Sequence, residues 1–201
     1  MMRNSAGIID GSSAVPRRLR VTMRADAERN LDAVLRTGAR LLAADPGASI
    51  AAIAVAAGVD RRTVYRRFTT REELLAAVHT AKLDACEQVV TEARLTEAPV
   101  LVALHRYAEG IIAVSRRLPV DVRQVRDEAG ADRLRRLMER LDGFMDRAVR
   151  EGVIRPGLPD RWARSLLVQL TAMAAHEMPE LTNAQGADMV VESLTKGLRP
   201  A

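Results

Sequence analysis

The sequence predicts an all-α protein, with a compact three-helix unit near the N-terminus and a longer helical domain behind it. Aromatic residues make up only 2% of the chain, so its core has to be built from Leu, Val, Ile, Met and many alanines. Alanine and leucine are strong helix formers, and no segment shows the period-two alternation of a half-buried strand. Apolar residues recur instead at three- and four-residue spacings, the period of a helix with one buried face. At 201 residues the chain suffices for one large or two small domains and buries a core without staples.

Residues 1–23 read as a flexible basic arm, rich in Gly, Ser and Arg and without helical period. Within it Pro16-Arg17-Arg18-Leu19-Arg20 is either a plain tail or an arm that lies along DNA. The first firm helix is expected from about Arg24 to Ala44, with Leu31, Val34, Leu35, Gly38, Leu41 and Leu42 on one stripe. Asp45-Pro46-Gly47 ends it, because proline disfavours helical geometry in the residue before it.

Ser49 to Glu73 is the stretch that organises the rest. Ile50, Ile53, Ala54 and Ala57 give a short second helix one apolar face, and Ser49 supplies a side-chain oxygen to cap it. Gly58 follows the last apolar position, where a left-handed turn is cheap only for glycine. Asp60 then caps a third helix, Arg61-Arg62-Thr63-Val64-Tyr65-Arg66-Arg67, in which Val64 and Phe68 face inward and arginines cover the remainder. Two short helices across a tight Gly turn are the sequence form of a helix-turn-helix, a unit that lays its second helix in the DNA major groove.

Thr70-Arg71-Glu72-Glu73 is a capping box that starts a fourth helix, expected to run to roughly Leu95. Pro99 restarts the chain in a helix with Leu101, Leu104, Ala108, Ile111, Ile112 and Ser115 inward, and Pro119 stops it. A short helix is expected over Val120 to Glu128, then a longer one to Arg150 with Leu134, Leu137, Met138, Leu141, Met145 and Ala148 inward. After the Gly152–Pro159 loop, Asp160 is the expected cap of a helix that Met178-Pro179 ends. A last helix carries Met189, Val190, Ser193 and Leu194.

Charge divides the chain unevenly. Residues 1–71 hold 13 Arg against 6 acidic residues, a net +7, whereas residues 72–201 hold 18 basic and 20 acidic residues, a net −2. A basic first third joined to a near-neutral remainder points to an anionic partner docking at one end. The single cysteine, Cys86, excludes an intramolecular disulfide and a cysteine-rich metal site. Without an 18-residue apolar run or a signal-peptide core, the expected location is the cytoplasm, away from any membrane.

Arg24 to Val78 resembles the DNA-binding head of the TetR/AcrR family of transcriptional regulators. The resemblance rests on Ile53-Ala54, Ala57-Gly58-Val59, Thr63-Val64-Tyr65-Arg66-Arg67-Phe68 and Arg71-Glu72-Glu73-Leu74-Leu75. Two positions depart from the family pattern: Arg71 stands where a lysine is usual, and Arg67 where a tyrosine or histidine is usual. Both replacements keep a phosphate donor. The resemblance implies a head over residues 24–71 and a helical domain over 72–201. It further implies that the latter binds a small-molecule effector and pairs its last two helices with those of a second subunit. The partners it implies are a palindromic double-stranded operator, an effector and a second copy of the chain. The function it implies is a repressor that the effector releases; an activator, or a DNA-binding protein of this fold without effector response, are the alternatives.

Phosphate contacts fix register, while base edges confer sequence choice. Arg61 and Arg62 lie in the first turn of the third helix, where an arginine can grip guanine O6 and N7 with both arms. By resemblance Thr63, Tyr65 and Arg67 touch the sugar-phosphate backbone. Arg71, at the start of helix four, offers another phosphate donor. Ser49 is either a cap alone or a cap that also meets a phosphate at a helix N-terminus, and Arg66 is either a contact or a solvated charge.

In the longer domain His105, Met138, Met145 and Met173 fall on or near apolar stripes, either as core or as lining of a hydrophobic ligand pocket. Trp162 reads as packing. His79 and Cys86 are too few to hold a metal, and Glu180 stands where His176-Glu177 needs a second histidine to make a zinc site. No nucleophile–base pair, phosphate-binding Gly loop or spaced carboxylate cluster occurs, so neither catalytic residues nor a cofactor are expected. A non-specific DNA coat is disfavoured by the long helical tail, since coating needs only a basic surface.

Overall fold

A computed structural model describes residues 17–124 and 127–198, with side chains from residue 26 onward. Among the described residues the chain forms eight α-helices and no strand. They are α1 (Arg17–Ala44), α2 (Ile50–Ala57), α3 (Arg61–Arg67), α4 (Arg71–Glu92), α5 (Val100–Arg117), α6 (Glu128–Arg150), α7 (Trp162–His176) and α8 (Asn183–Gly197).

The helix-turn-helix forms as its residues dictate. Ser49 Oγ accepts from the Ala52 amide at 3.1 Å and so satisfies one orphan N–H of α2. Gly58 takes φ +67°, and its amide bonds back to the end of α2. Asp60 Oδ1 accepts from the Thr63 amide at 3.1 Å to open α3. The Thr70–Glu73 capping box is closed in both directions. The buried face consists of Ile50, Ile53 and Ala54 from α2, Val64 from α3, and Phe68 just beyond it.

Three expectations are corrected. The first helix begins at Arg17, seven residues before Arg24, so residues 17–23 of the expected arm are helical; residues 1–16 lie outside the described ones. Arg, Leu, Val, Met and Ala without Gly or Pro continue a helix readily even where no apolar stripe marks it. The expected helix over Val120–Glu128 is one 3₁₀ turn, Val122–Gln124, with residues 125 and 126 outside the described set. Asp160 does not cap α7. The Trp162 amide bonds to the Pro159 carbonyl at 3.0 Å, which puts Asp160 inside a tight turn and leaves Arg161 at the helix entrance with φ +63°.

Two apolar clusters result, and α4 belongs to both. Its Leu74 and Val78 pack with α1, α2 and α3, whereas Leu83, Val89 and Val90 join the bundle of α5, α6, α7 and α8. Leu118 and Val120, beyond the end of α5, also pack into the head cluster. The head core thus reaches past residue 71 in both sequence and space. In the tail, a Cβ added at Gly110 of α5 would lie 2.7 Å from Val89 Cγ1, so α4 and α5 approach closely there. Arg133 of α6 reaches back to Asp84 and Glu87 of α4, and these contacts hold its guanidinium well above its ordinary pKa.

Candidate nucleic-acid interface

Burying Val64 and Phe68 decides what α3 shows to solvent. With those two side chains inward, Arg61, Arg62, Thr63, Tyr65, Arg66 and Arg67 are all exposed. Tyr65 keeps 45% of its surface accessible, so it is not the core aromatic of the head; that place belongs to Phe68. None of the four arginines of α3 makes an ion pair among the described residues, and their charge remains available to an external anion. The Arg67 guanidinium lies 6.0 Å from the Phe68 ring centroid, against the apolar edge of the head. A hollow of about 450 Å³ runs between α1 and α3, bordered by Asn30, Thr63, Arg66 and Arg67.

Ser49 and Arg71 sit at the N-terminal ends of α2 and α4. Ser49 is exposed and serves as the cap. Arg71 is half-buried, with its guanidinium 3.3 Å from Glu72. The backbone and Arg71 hold the Glu72 carboxyl below its ordinary pKa, and the Thr69 hydroxyl and amide do the same for Glu73. These two ionised groups shape the electrostatics beside Arg71. The structure therefore gathers Arg61, Arg62, Thr63, Tyr65, Arg66 and Arg67 on one short helix, with Ser49 and Arg71 at neighbouring helix starts.

The tail residues singled out in the sequence do not converge. His105 lies on the outer side of α5, with Nε2 3.0 Å from Asp188 Oδ1 of α8. Met138 is half-buried against the tail core, and Met173 is exposed on α7. Met145 is buried and borders a cavity of about 370 Å³ between α6 and the loop into α7. Its walls mix Asp142, Arg150, Arg155 and Arg164 with Val149, Leu158 and Trp162, so its lining is part charged and part apolar. No group of three potential metal ligands occurs among the described residues. Burial pushes the Cys86 thiol up, which suits an inert thiol and not a redox sensor.

Sequence reasoning missed Lys82. It is 7% exposed on α4 and donates to the Val120 carbonyl at 2.6 Å, pinning α4 to the segment after α5. Burial lowers its pKa. Its one signal was rarity, as one of two lysines in an arginine-rich chain.

Comparison with known proteins reaches the same head. Residues 34–78 match the family described as bacterial regulatory proteins, tetR family. The HTH-type transcriptional repressor LfrR of Mycolicibacterium smegmatis is 38% identical over 82 residues, 41% of this chain and 43% of that relative. The solved structure of LfrR in complex with proflavine superposes over 87% of this chain and 98% of LfrR, with TM-score 0.68 and 26% identity. The head, residues 34–78, is thus that of the tetR family of bacterial regulatory proteins. The chain's sequence match spans less than half of the curated relative, while the TetR fold extends over nearly the whole of both chains. The fold is shared at 21% identity by AibR, solved with isovaleryl coenzyme A and operator DNA, with TM-score 0.65 over 83% of this chain and 98% of that one. No described helix is long and apolar enough to cross a membrane.

Proposed function

We propose that the protein is a homodimeric transcriptional repressor that binds a palindromic operator through α3 and leaves it when the tail takes up a small molecule. The observation that carries this reading is α3 itself: Val64 turned inward, with Thr63, Tyr65 and four arginines that make no ion pair among the described residues turned outward. Arg61 and Arg62, in the first turn, are the base readers; Thr63, Tyr65, Arg67 and Arg71 hold phosphates, with Arg66 alongside and Ser49 at the α2 N-terminus. Two heads read half-sites one helical turn apart, about 34–36 Å, or a larger whole number of turns. AibR, of the same fold, is a protein solved with both operator DNA and a small molecule, and it supports a two-input reading. The α7–α8 pair forms the subunit interface, and the protein has no enzymatic activity of its own.

Coupling runs through α4, which is packed into both clusters and tied by Lys82 to Val120. A ligand that favours a tail state with wrongly spaced heads weakens DNA binding, and DNA then weakens ligand binding by the same factor. The test is selection of bound duplexes from a random library, followed by footprinting. One protected palindrome supports the proposal; diffuse protection without a dyad overturns it.

A further inference from the structure

A second basic hollow lies away from α3, at the joint between head and tail. A cavity of about 290 Å³ opens where α1 and the end of α2 meet the C-terminal end of α5. It is lined by three alanines together with Arg36, Thr37, Arg40, Arg116 and Arg117. Among the described residues no carboxylate lines it and none comes from α3, so it is separate from the proposed DNA face.

The arginines differ in how they are held. Arg36 is paired with Asp32 at 3.2 Å. Arg116 donates to the carbonyl oxygens of Ala174, Ala175, Met178 and Leu181 and to Asn183 Oδ1, at 2.8 to 3.4 Å. These five acceptors take all five N–H groups of the guanidinium, so Arg116 is fixed and lends the hollow its charge but no free donor, and part of that charge is offset by the carbonyls at the end of α7. Arg40 and Arg117 are exposed and make no ion pair among the described residues. Asp32 offsets one of the four positive charges. The C-terminal ends of α2, α5 and α7 offset at most about half a charge each. A net positive field of between about one and two charges remains over the hollow, with Arg40 and Arg117 as its free guanidinium donors.

We propose that this hollow binds a multiply charged phosphoanion, such as pyrophosphate or the diphosphate of a nucleotide, gripped by Arg40 and Arg117 beside the fixed charge of Arg116. Guanidinium forks suit phosphate oxygens, and such charge-assisted bonds are the strong ones. An anion there bridges α1 of the head to α5 of the tail and clamps the joint that α4 also spans.

The test is calorimetric titration of the full-length protein with inorganic pyrophosphate at physiological ionic strength, repeated on two double variants. Saturable binding of one pyrophosphate per subunit is expected. Arg40→Gln with Arg117→Gln should weaken it by roughly tenfold or more, since two charge-assisted contacts are lost. Both side chains are exposed, and circular dichroism verifies that the helices persist. Arg62→Ala with Arg67→Ala, on α3, should leave pyrophosphate affinity unchanged. The proposal is overturned if the titration never saturates, if the Arg40/Arg117 pair is indifferent, or if the α3 pair carries the binding.

Discussion

Each outward side chain of α3 makes a separable prediction, because it is exposed and its loss leaves the head core intact. Tyr65→Ala and Arg67→Ala should weaken binding to matched and mismatched duplexes alike, as phosphate contacts do. Arg62→Ala should do more: losing a two-armed grip on guanine costs about 1–3 kcal/mol and relaxes choice at one base pair per half-site. Titration of the variants against the selected operator and single-base mismatches separates the two patterns; equal losses everywhere for Arg62→Ala make it a phosphate contact. A different residue, His79, predicts a pH effect. It is buried on α4, and burial lowers its pKa, with Lys82 adding to the shift while Asp121 and Asp127 oppose it. Between the lowered folded value and the ordinary one, about 6.5, the unfolded chain binds more protons. Stability therefore rises with pH through that window and falls on acidification. His79→Gln should show a smaller drop in Tm than the parent between about pH 7 and pH 5.5. It should not abolish the drop, because burial also lowers the His176 pKa and contributes with the same sign.

At the scale of helices, what could be read in advance was local chemistry. The caps at Ser49, Asp60 and Thr70 and the turn at Gly58 each act within a few residues, and all four formed as their side chains require. The recognition surface was legible for the same reason: once Val64 and Phe68 are inward, the seven-residue helix has no other way to place its arginines. Contacts distant in sequence were not legible. Nothing near Lys82 announces Val120, 38 residues on, and nothing near Gly110 announces Val89. Met145 and Met173 share an apolar period with core residues, yet only the packing of α6 on α7 decides that one is buried and the other exposed. Gly110 yields the element-scale prediction. A methyl there meets Val89 Cγ1 at 2.7 Å and Cγ2 at 2.9 Å, which forces α4 and α5 apart. Gly110→Ala should destabilise by about 1–3 kcal/mol in chemical denaturation, the range for overpacking a filled core. In a Val89→Ala background the obstructing methyls are gone and most of that penalty should disappear. A penalty that persists there traces instead to the α5 backbone.

The whole molecule presents its basic face in duplicate if two copies bind one operator, and salt dependence reports that directly. Each phosphate neutralised by a cation releases counterions, and log K falls against log salt with a slope of about −0.9 per contact. Arg67 and Arg71 are the two cations assigned here to phosphates, so one head contributes about −2 and a dimer about −4. Arg71 makes the cleaner probe, because it lies outside α3 and touches no base in the proposed arrangement. Removing it as Arg71→Ala takes away one contact from a monomer but two from a dimer. The slope should therefore become shallower by about 2, not by about 1, while the ranking of operator sequences stays the same. Filter binding over a range of salt concentrations measures both quantities. A change of about 1 would mean that one subunit engages the operator, against the paired heads proposed here. No change would leave Arg71 to its contact with Glu72, 3.3 Å away, and remove it from the interface.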